Sequence, residues 1–222
     1  MGRCGIHDAA KGHQSKALPN SALQRTSARS HVCLLSRSSR RAEAAELGPL
    51  GGQNIVSNTL APETPDSPFQ GRRYYSLDAA TAADVSRAIP SSARTFVLFL
   101  AWNATNESDE TIRALARDTF AKGLAYLVAW GPDCSRVHDL FDFTGIDEGY
   151  YPSEDSVVMT TWHEDESLAS ALWFFLFNTV PDQAFETTCN TAIAVAVANA
   201  EWADTIQRYL RNPAELNRAA GV

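Results

Sequence analysis

Residues 1–68 show no sustained spacing of apolar positions, whereas from Tyr74 onward the spacing becomes regular. Residues 78–89 place Ala82, Val85 and Ile89 on one face of a helix, and Pro90 stops it. Residues 95–101, Thr-Phe-Val-Leu-Phe-Leu-Ala, form a continuous apolar run that predicts a strand. Helical spacing returns over 105–122, with Ile112, Leu115, Ala116 and Phe120 on one stripe and Gly123 as the stop. A second apolar strand is expected at 125–130, followed by a short helix over 133–143 with Val137, Leu140 and Phe141 facing inward. A third strand is expected at 156–162, then an apolar helix over 164–179 halted by Pro181. A fourth strand at 191–197 precedes a closing helix over 201–211, with Trp202, Ile206, Tyr209 and Leu210 on one face.

Strands and helices therefore alternate, and the strands lack a polar alternate face, as strands covered on both sides do. The pattern predicts an α/β three-layer sandwich. Its sheet is mostly parallel with about four main strands, in a flavodoxin-like or Rossmann-like topology. In a flavodoxin-like order the first and third of these strands are adjacent, and a crevice opens between Asn103 and His163. No tandem repeat of fixed period is visible.

Charge sharpens the division of the chain. Through Leu60 there are eight basic residues and three acidic ones, a balance of +5, whereas the whole chain carries −7, which leaves −12 for the remainder. Residues 1–68 are rich in Ser, Ala, Arg, Gln, Gly and Pro and hold too little apolar surface to offset the entropy of ordering. They read as a disordered basic tail ending in a Pro-rich linker over 61–68, ahead of a single domain over 69–222. Clustered arginines can bind nucleic acid or an anionic membrane, but no aromatic or helical pattern organises these. The acidic balance of the domain argues against nucleic acid as its own ligand.

The four cysteines, Cys4, Cys33, Cys134 and Cys189, form no CxxC and no short-spaced Cys/His set, so a reducing cytosol is the expected compartment. The apolar stretch at 32–35 is too brief for a signal peptide. The segment 168–180 would measure about 20 Å as a helix, short of the ~30 Å hydrocarbon core, and Glu164-Asp165-Glu166 precedes it, so no membrane span is expected.

Ligands of open parallel sheets collect beyond the carboxyl ends of the strands. Those ends carry Trp102-Asn103, then the run from Trp130 to Ser135, then Thr161-Trp162-His163-Glu164, and finally Asn199. Three of the five tryptophans lie at this edge, and although any one of them alone reads first as packing on a helix, the three together can wall a pocket with Trp102, Trp130 and Trp162. The binding candidates are thus Trp102, Asn103, Trp130, Asp133, Trp162 and Asn199.

Cys134 is the candidate nucleophile. It falls in the first turn after an expected Asp133 cap, where the helix dipole favours a thiolate, although the Asp133 charge opposes it. His163 is the candidate base. His138, four residues after Cys134, offers a three-ligand metal set with Cys134 and His163 as an alternative, and an inert thiol with a hydrogen-bonded histidine is a third reading. No GxGxxG, P-loop or GxSxG motif occurs, so no dinucleotide, ATPase or serine-hydrolase site is indicated, and no cofactor. Asp133, Asp139, Asp142, Asp147, Glu148, Glu154 and Asp155, with Glu164-Asp165-Glu166, can form an acidic face for a basic partner, or simply a solvated surface.

Two resemblances add to this. The stretch Trp130-Gly-Pro-Asp-Cys-Ser-Arg-Val-His-Asp-Leu-Phe-Asp142, with Thr161-Trp-His-Glu-Asp-Glu-Ser-Leu-Ala-Ser-Ala-Leu-Trp-Phe-Phe175 and Asn199-Ala-Glu-Trp202, resembles a bacterial domain-of-unknown-function family over residues 93–212. It implies a stand-alone α/β domain and carries over no catalytic role. The run Ala17-Leu-Pro-Asn-Ser-Ala-Leu-Gln-Arg-Thr26 is similar to peptides translated from integron-cassette recombination sites, which bears on the origin of the tail and not on the domain. The expectation is a cytosolic module that binds a basic protein or a small molecule through an acidic face or a strand-end pocket. A thiol-dependent enzyme using Cys134 and His163 is the alternative.

Overall fold

The computed structural model describes residues 71–90, 93–150 and 156–222. Residues 1–68, Cys4, Cys33, Glu154 and Asp155 lie outside the described residues. Five strands form one sheet: β1 (Arg73–Ala79), β2 (Thr95–Trp102), β3 (Leu124–Trp130), β4 (Met159–His163) and β5 (Cys189–Val197). Their spatial order is β1-β5-β2-β3-β4, and every neighbouring pair is parallel. The helices are α1 (Ala82–Ala88), α2 (Asp109–Ala121), α3 (Cys134–Asp147), α4 (Leu168–Phe177), α5 (Ala200–Arg211) and α6 (Pro213–Ala220).

The chain steps in one direction along the sheet from β1 through β2 and β3 to β4, then returns to insert β5 between β1 and β2. Right-handed crossovers place α1, α2 and α3 on one face and α4 on the other. The contacts agree, with α2 against α1 and α3, and α6 against α4 and α5. The result is the expected three-layer α/β sandwich around an open parallel sheet.

Both faces of the central strands are dry. In β2, every residue from Phe96 to Ala101 is at most 1% exposed, as a sheet covered on both sides requires. On one face Phe99 meets Phe175 of α4 at 5.6 Å, and Tyr74 of β1 meets the same ring edge-on at 6.1 Å. On the other, Phe120 of α2 packs on Phe141 of α3 at 6.0 Å. Burying each such side chain contributes roughly 1.5–3 kcal/mol.

The structure departs from the sequence reading in several places. Beside the four expected main strands the described residues hold a fifth, β1, and residues 78 and 79, expected to open a helix, end it. Its buried residues Tyr74, Leu77 and Ala79 are spaced three and two apart, which hides the alternation, and pairing with β5 holds it in place. β3 stands between β2 and β4, so the first and third expected strands are not adjacent and no crevice between neighbouring strands joins Asn103 to His163. The expected 156–162 strand shortens to β4, a sheet edge with β3 as its neighbour. The expected helix over 164–179 contracts to α4 because the Ser167 hydroxyl accepts from the Ser170 amide and caps it there. The acidic run therefore forms the turn ahead of α4. A further helix, α6, follows α5, with Asn212 as its cap and Pro213 at its start.

Candidate functional site at the carboxyl edge of the sheet

At the carboxyl edge, β3 leads to α3 on one face while β4 leads to α4 on the other. The connections leaving β5 and β2 diverge in the same way. Such divergences are where α/β sheets open to ligands.

Cys134 is the first residue of α3. Asp133 before it adopts a left-handed conformation (φ 66°, ψ 24°), one that Asp tolerates better than most residues. Its carboxylate makes no capping bond and instead accepts from Arg136 Nε at 2.7 Å. The Cys134 thiol is buried, and burial pushes it up to about 11; Glu164 adds to the rise, and the backbone amide of His163 offsets part of it. This is the reverse of the lowered thiol that a helix N-terminus would provide.

His163 closes β4. Its buried ring packs on Phe174 of α4 at 4.6 Å, with Nδ1 3.1 Å from Glu166 Oε1 in an approach too bent for a hydrogen bond. Trp162, one residue earlier, faces the opposite way and packs on His138 of α3 at 4.4 Å. Side chains alternate along a strand, so the thiol of α3 meets the main chain of His163 while the imidazole turns to the far face. The structure therefore brings Cys134 and His163 together through backbone and not through ring. Cys134, His138 and His163 do not gather either: among the described residues no group of three or more His, Cys, Asp or Glu could hold a metal ion.

The remaining candidates divide between the two faces. The Trp130 indole N–H donates to the Glu166 carbonyl at 2.9 Å, and its ring packs edge-on against Trp202 of α5 at 4.9 Å. Trp130, Glu166, His163 and Trp202 thus form one cluster on the α4–α5 side. Trp102 is buried, so it is core and not an open wall. Asn103 is exposed, and its side chain accepts from the Thr105 amide at 3.3 Å. Asn199 caps α5 by accepting from the Trp202 amide at 3.0 Å.

Sequence reasoning missed Arg136. Its Nε bonds Asp133, Nη1 bonds Asp109 at 2.7 Å, and Nη2 donates to the carbonyls of Ala104 at 2.7 Å and Glu107 at 3.1 Å. One side chain thus ties the β2–α2 loop to the β3–α3 loop. The signal available was Asp133 three residues before an arginine, a helical ion-pair spacing. The acidic face is also thinner than expected. Asp133 is paired with Arg136, Glu148 with Arg117 at 2.9 Å, and Asp142 accepts from Thr160 at 2.6 Å, while Asp139 and Asp147 are exposed on α3 and Glu164 and Asp165 on the turn ahead of α4.

A family model described as Domain of unknown function (DUF7684) matches residues 73–213. The chain belongs to the DUF7684 family. No curated protein and no solved structure matches it. The DUF7684 domain begins with β1 and runs to the first residue of α6, so it takes in the whole sheet and every candidate at the carboxyl edge. The likeness read over residues 93–212 thus extends back through β1. No helix among the described residues of the DUF7684 domain is long and apolar enough to cross a membrane.

Proposed function

We propose that this domain works by binding, and that the binding surface is the carboxyl edge of the sheet around Trp130, Trp202 and the 163–166 turn. The observation that carries this reading is the half-buried Trp130–Trp202 pair at this edge, and the Cys134 thiol of the same edge is buried and pushed up to about 11. A thiol so placed stays protonated at neutral pH, which counts against the thiol-dependent alternative and leaves the edge as a recognition surface. The half-buried Trp130–Trp202 pair supplies apolar contact, and exposed Glu164 and Asp165 beside it supply negative charge. Arg136 of α3 is engaged by Asp133, Asp109 and the carbonyls of Ala104 and Glu107 instead. A basic segment of a partner protein fits such a surface, and charge would speed the encounter. The buried free thiols Cys134 and Cys189 support a reducing cytosol as its setting. Residues 17–26 support a bacterial origin on integron-borne DNA.

Tryptophan fluorescence of the full chain, titrated with a lysine-rich peptide, tests the reading. Binding should weaken steeply as salt rises, and the double variant Glu164→Gln, Asp165→Asn should weaken it at low salt. A fluorescence signal unmoved by the peptide at low salt would reject the basic partner.

A further inference from the structure

The opposite, amino edge of the sheet holds a cavity. Arg72 precedes β1, Cys189 opens β5, and the two line a cavity of about 400 Å³ with Val180, Pro181, Gln183 and Glu186 of the α4–β5 connection. That volume lies within the range of small-molecule sites, roughly 300–1,000 Å³.

Arg72 is only 8% exposed, although it carries a full charge. Its Nη1 donates to the Thr179 carbonyl at 3.0 Å and the Thr179 hydroxyl at 3.1 Å, both neutral oxygens. Its Nε is buried with no hydrogen-bond partner. Among the described residues, Arg72 takes part in no ion pair. The guanidinium also lies within hydrogen-bonding reach of the Tyr74 hydroxyl and the Cys189 thiol; burial raises the pKa of both, and Arg72 pulls each part of the way back. A charge held out of water is normally paired, because its desolvation is otherwise uncompensated. The groups hydrogen-bonded to Arg72 are all neutral, and the cavity beside it has room for an anion.

The walls narrow its chemistry. Val180, Pro181 and Cys189 offer apolar surface, and Gln183 offers an amide. Glu186 is exposed and places a negative charge on the same wall, which disfavours doubly charged anions such as phosphate. We propose that this cavity binds a small apolar monocarboxylate. Its carboxylate lies on Arg72 and its hydrocarbon body rests against Val180 and Pro181.

The test uses the full chain with butyrate as probe, and sodium chloride and inorganic phosphate at matched ionic strength as controls. Butyrate should raise the melting temperature progressively with concentration, beyond either control. It should also slow iodoacetamide labelling of Cys189, read by site-resolved mass spectrometry. Arg72→Met should weaken butyrate by about tenfold or more, as loss of a charge-assisted contact does. If that variant does not fold, Glu186→Gln carries the test, and it should tighten butyrate severalfold. The proposal is overturned if butyrate acts no better than chloride, or if phosphate stabilises equally. It is also overturned if folded Arg72→Met keeps the butyrate response, or if Glu186→Gln unfolds the domain, which would make Glu186 the partner of Arg72.

Discussion

The Cys134 thiol lies against the backbone amide of His163, while the His163 ring packs on Phe174 across the sheet. Chemistry between the two side chains would need the His163 ring to leave Phe174 and turn toward α3, and the pairing of β4 with β3 opposes that. Iodoacetamide labelling of Cys134 should therefore be slow at neutral pH. Its midpoint should lie well above the free-thiol value of about 8.5. With Cys4, Cys33 and Cys189 replaced, His163→Ala should leave that midpoint unchanged. A midpoint near neutrality that rises in His163→Ala would restore the dyad.

The same burial makes stability fall in alkali. The Cys134 thiol is raised from 9.0 to about 11, and the Tyr74 hydroxyl from 10.0 to about 12. Between each pair of values the unfolded chain has lost a proton that the folded chain keeps, so unfolding becomes easier as pH rises. Each pKa unit corresponds to about 1.4 kcal/mol, so the thiol alone should remove on the order of 2 kcal/mol between pH 9 and 11. Urea unfolding across that range should show the decline, and Cys134→Ala should flatten it. An equally steep decline in Cys134→Ala would assign the effect elsewhere.

Arg136 should behave as a clamp. Arg136→Lys keeps the charge but loses the planar fork that reaches four acceptors at once. Amide exchange across residues 104–109 should accelerate at least tenfold in this variant, with global stability down by about 2 kcal/mol. Unchanged exchange in that loop would mean that backbone contacts alone hold it.

Much of this fold was legible in the sequence, because a strand buried on both faces leaves a continuous apolar run. β2, β3 and β5 are such runs, and the pattern located them to within a few residues. β1 was not legible, since Tyr75 and Ser76 are half-buried and no strict alternation survives in an edge strand. Strand order was not legible either. Inserting β5 between β1 and β2 is a property of long-range pairing, which local spacing does not encode. At the carboxyl edge the sequence supplied Trp130, Cys134, Trp162 and His163 but not their directions. One residue of offset along β4 sends Trp162 to α3 and His163 to α4.

That order has a consequence for hydrogen exchange. β5 and β2 each have strands on both sides, as does β3, whereas β1 and β4 are edges. Exchange should be slowest at residues 97–100 and 192–196 and at least tenfold faster across β4, despite its apolar neighbours. Equal protection of β4 would mean that another strand covers its free edge.

Ala198 offers the sharpest test of backbone strain at the carboxyl edge. It follows β5, precedes the Asn199 cap of α5, and sits at φ 54°, a left-handed value that its Cβ opposes. Two bonds hold it there: its own amide donates to the Ala79 carbonyl at 2.7 Å, and the next residue must turn to cap α5. The side chain is exposed, so a glycine there would lose no packing. Left-handed backbone costs a non-glycine residue roughly 1–2 kcal/mol, and the extra freedom of glycine in the unfolded chain returns about 0.5–1 kcal/mol. Ala198→Gly should therefore stabilise the domain by about 0.5–1 kcal/mol, raising the melting temperature by a few degrees. The strain borders the proposed binding edge, so peptide affinity measured in the same variant shows whether it is used. A variant that is more stable but binds more weakly would show that alanine is kept to fix the start of α5 and, with it, Trp202 against Trp130. A variant less stable than the parent would show that the left-handed turn is not strained at all.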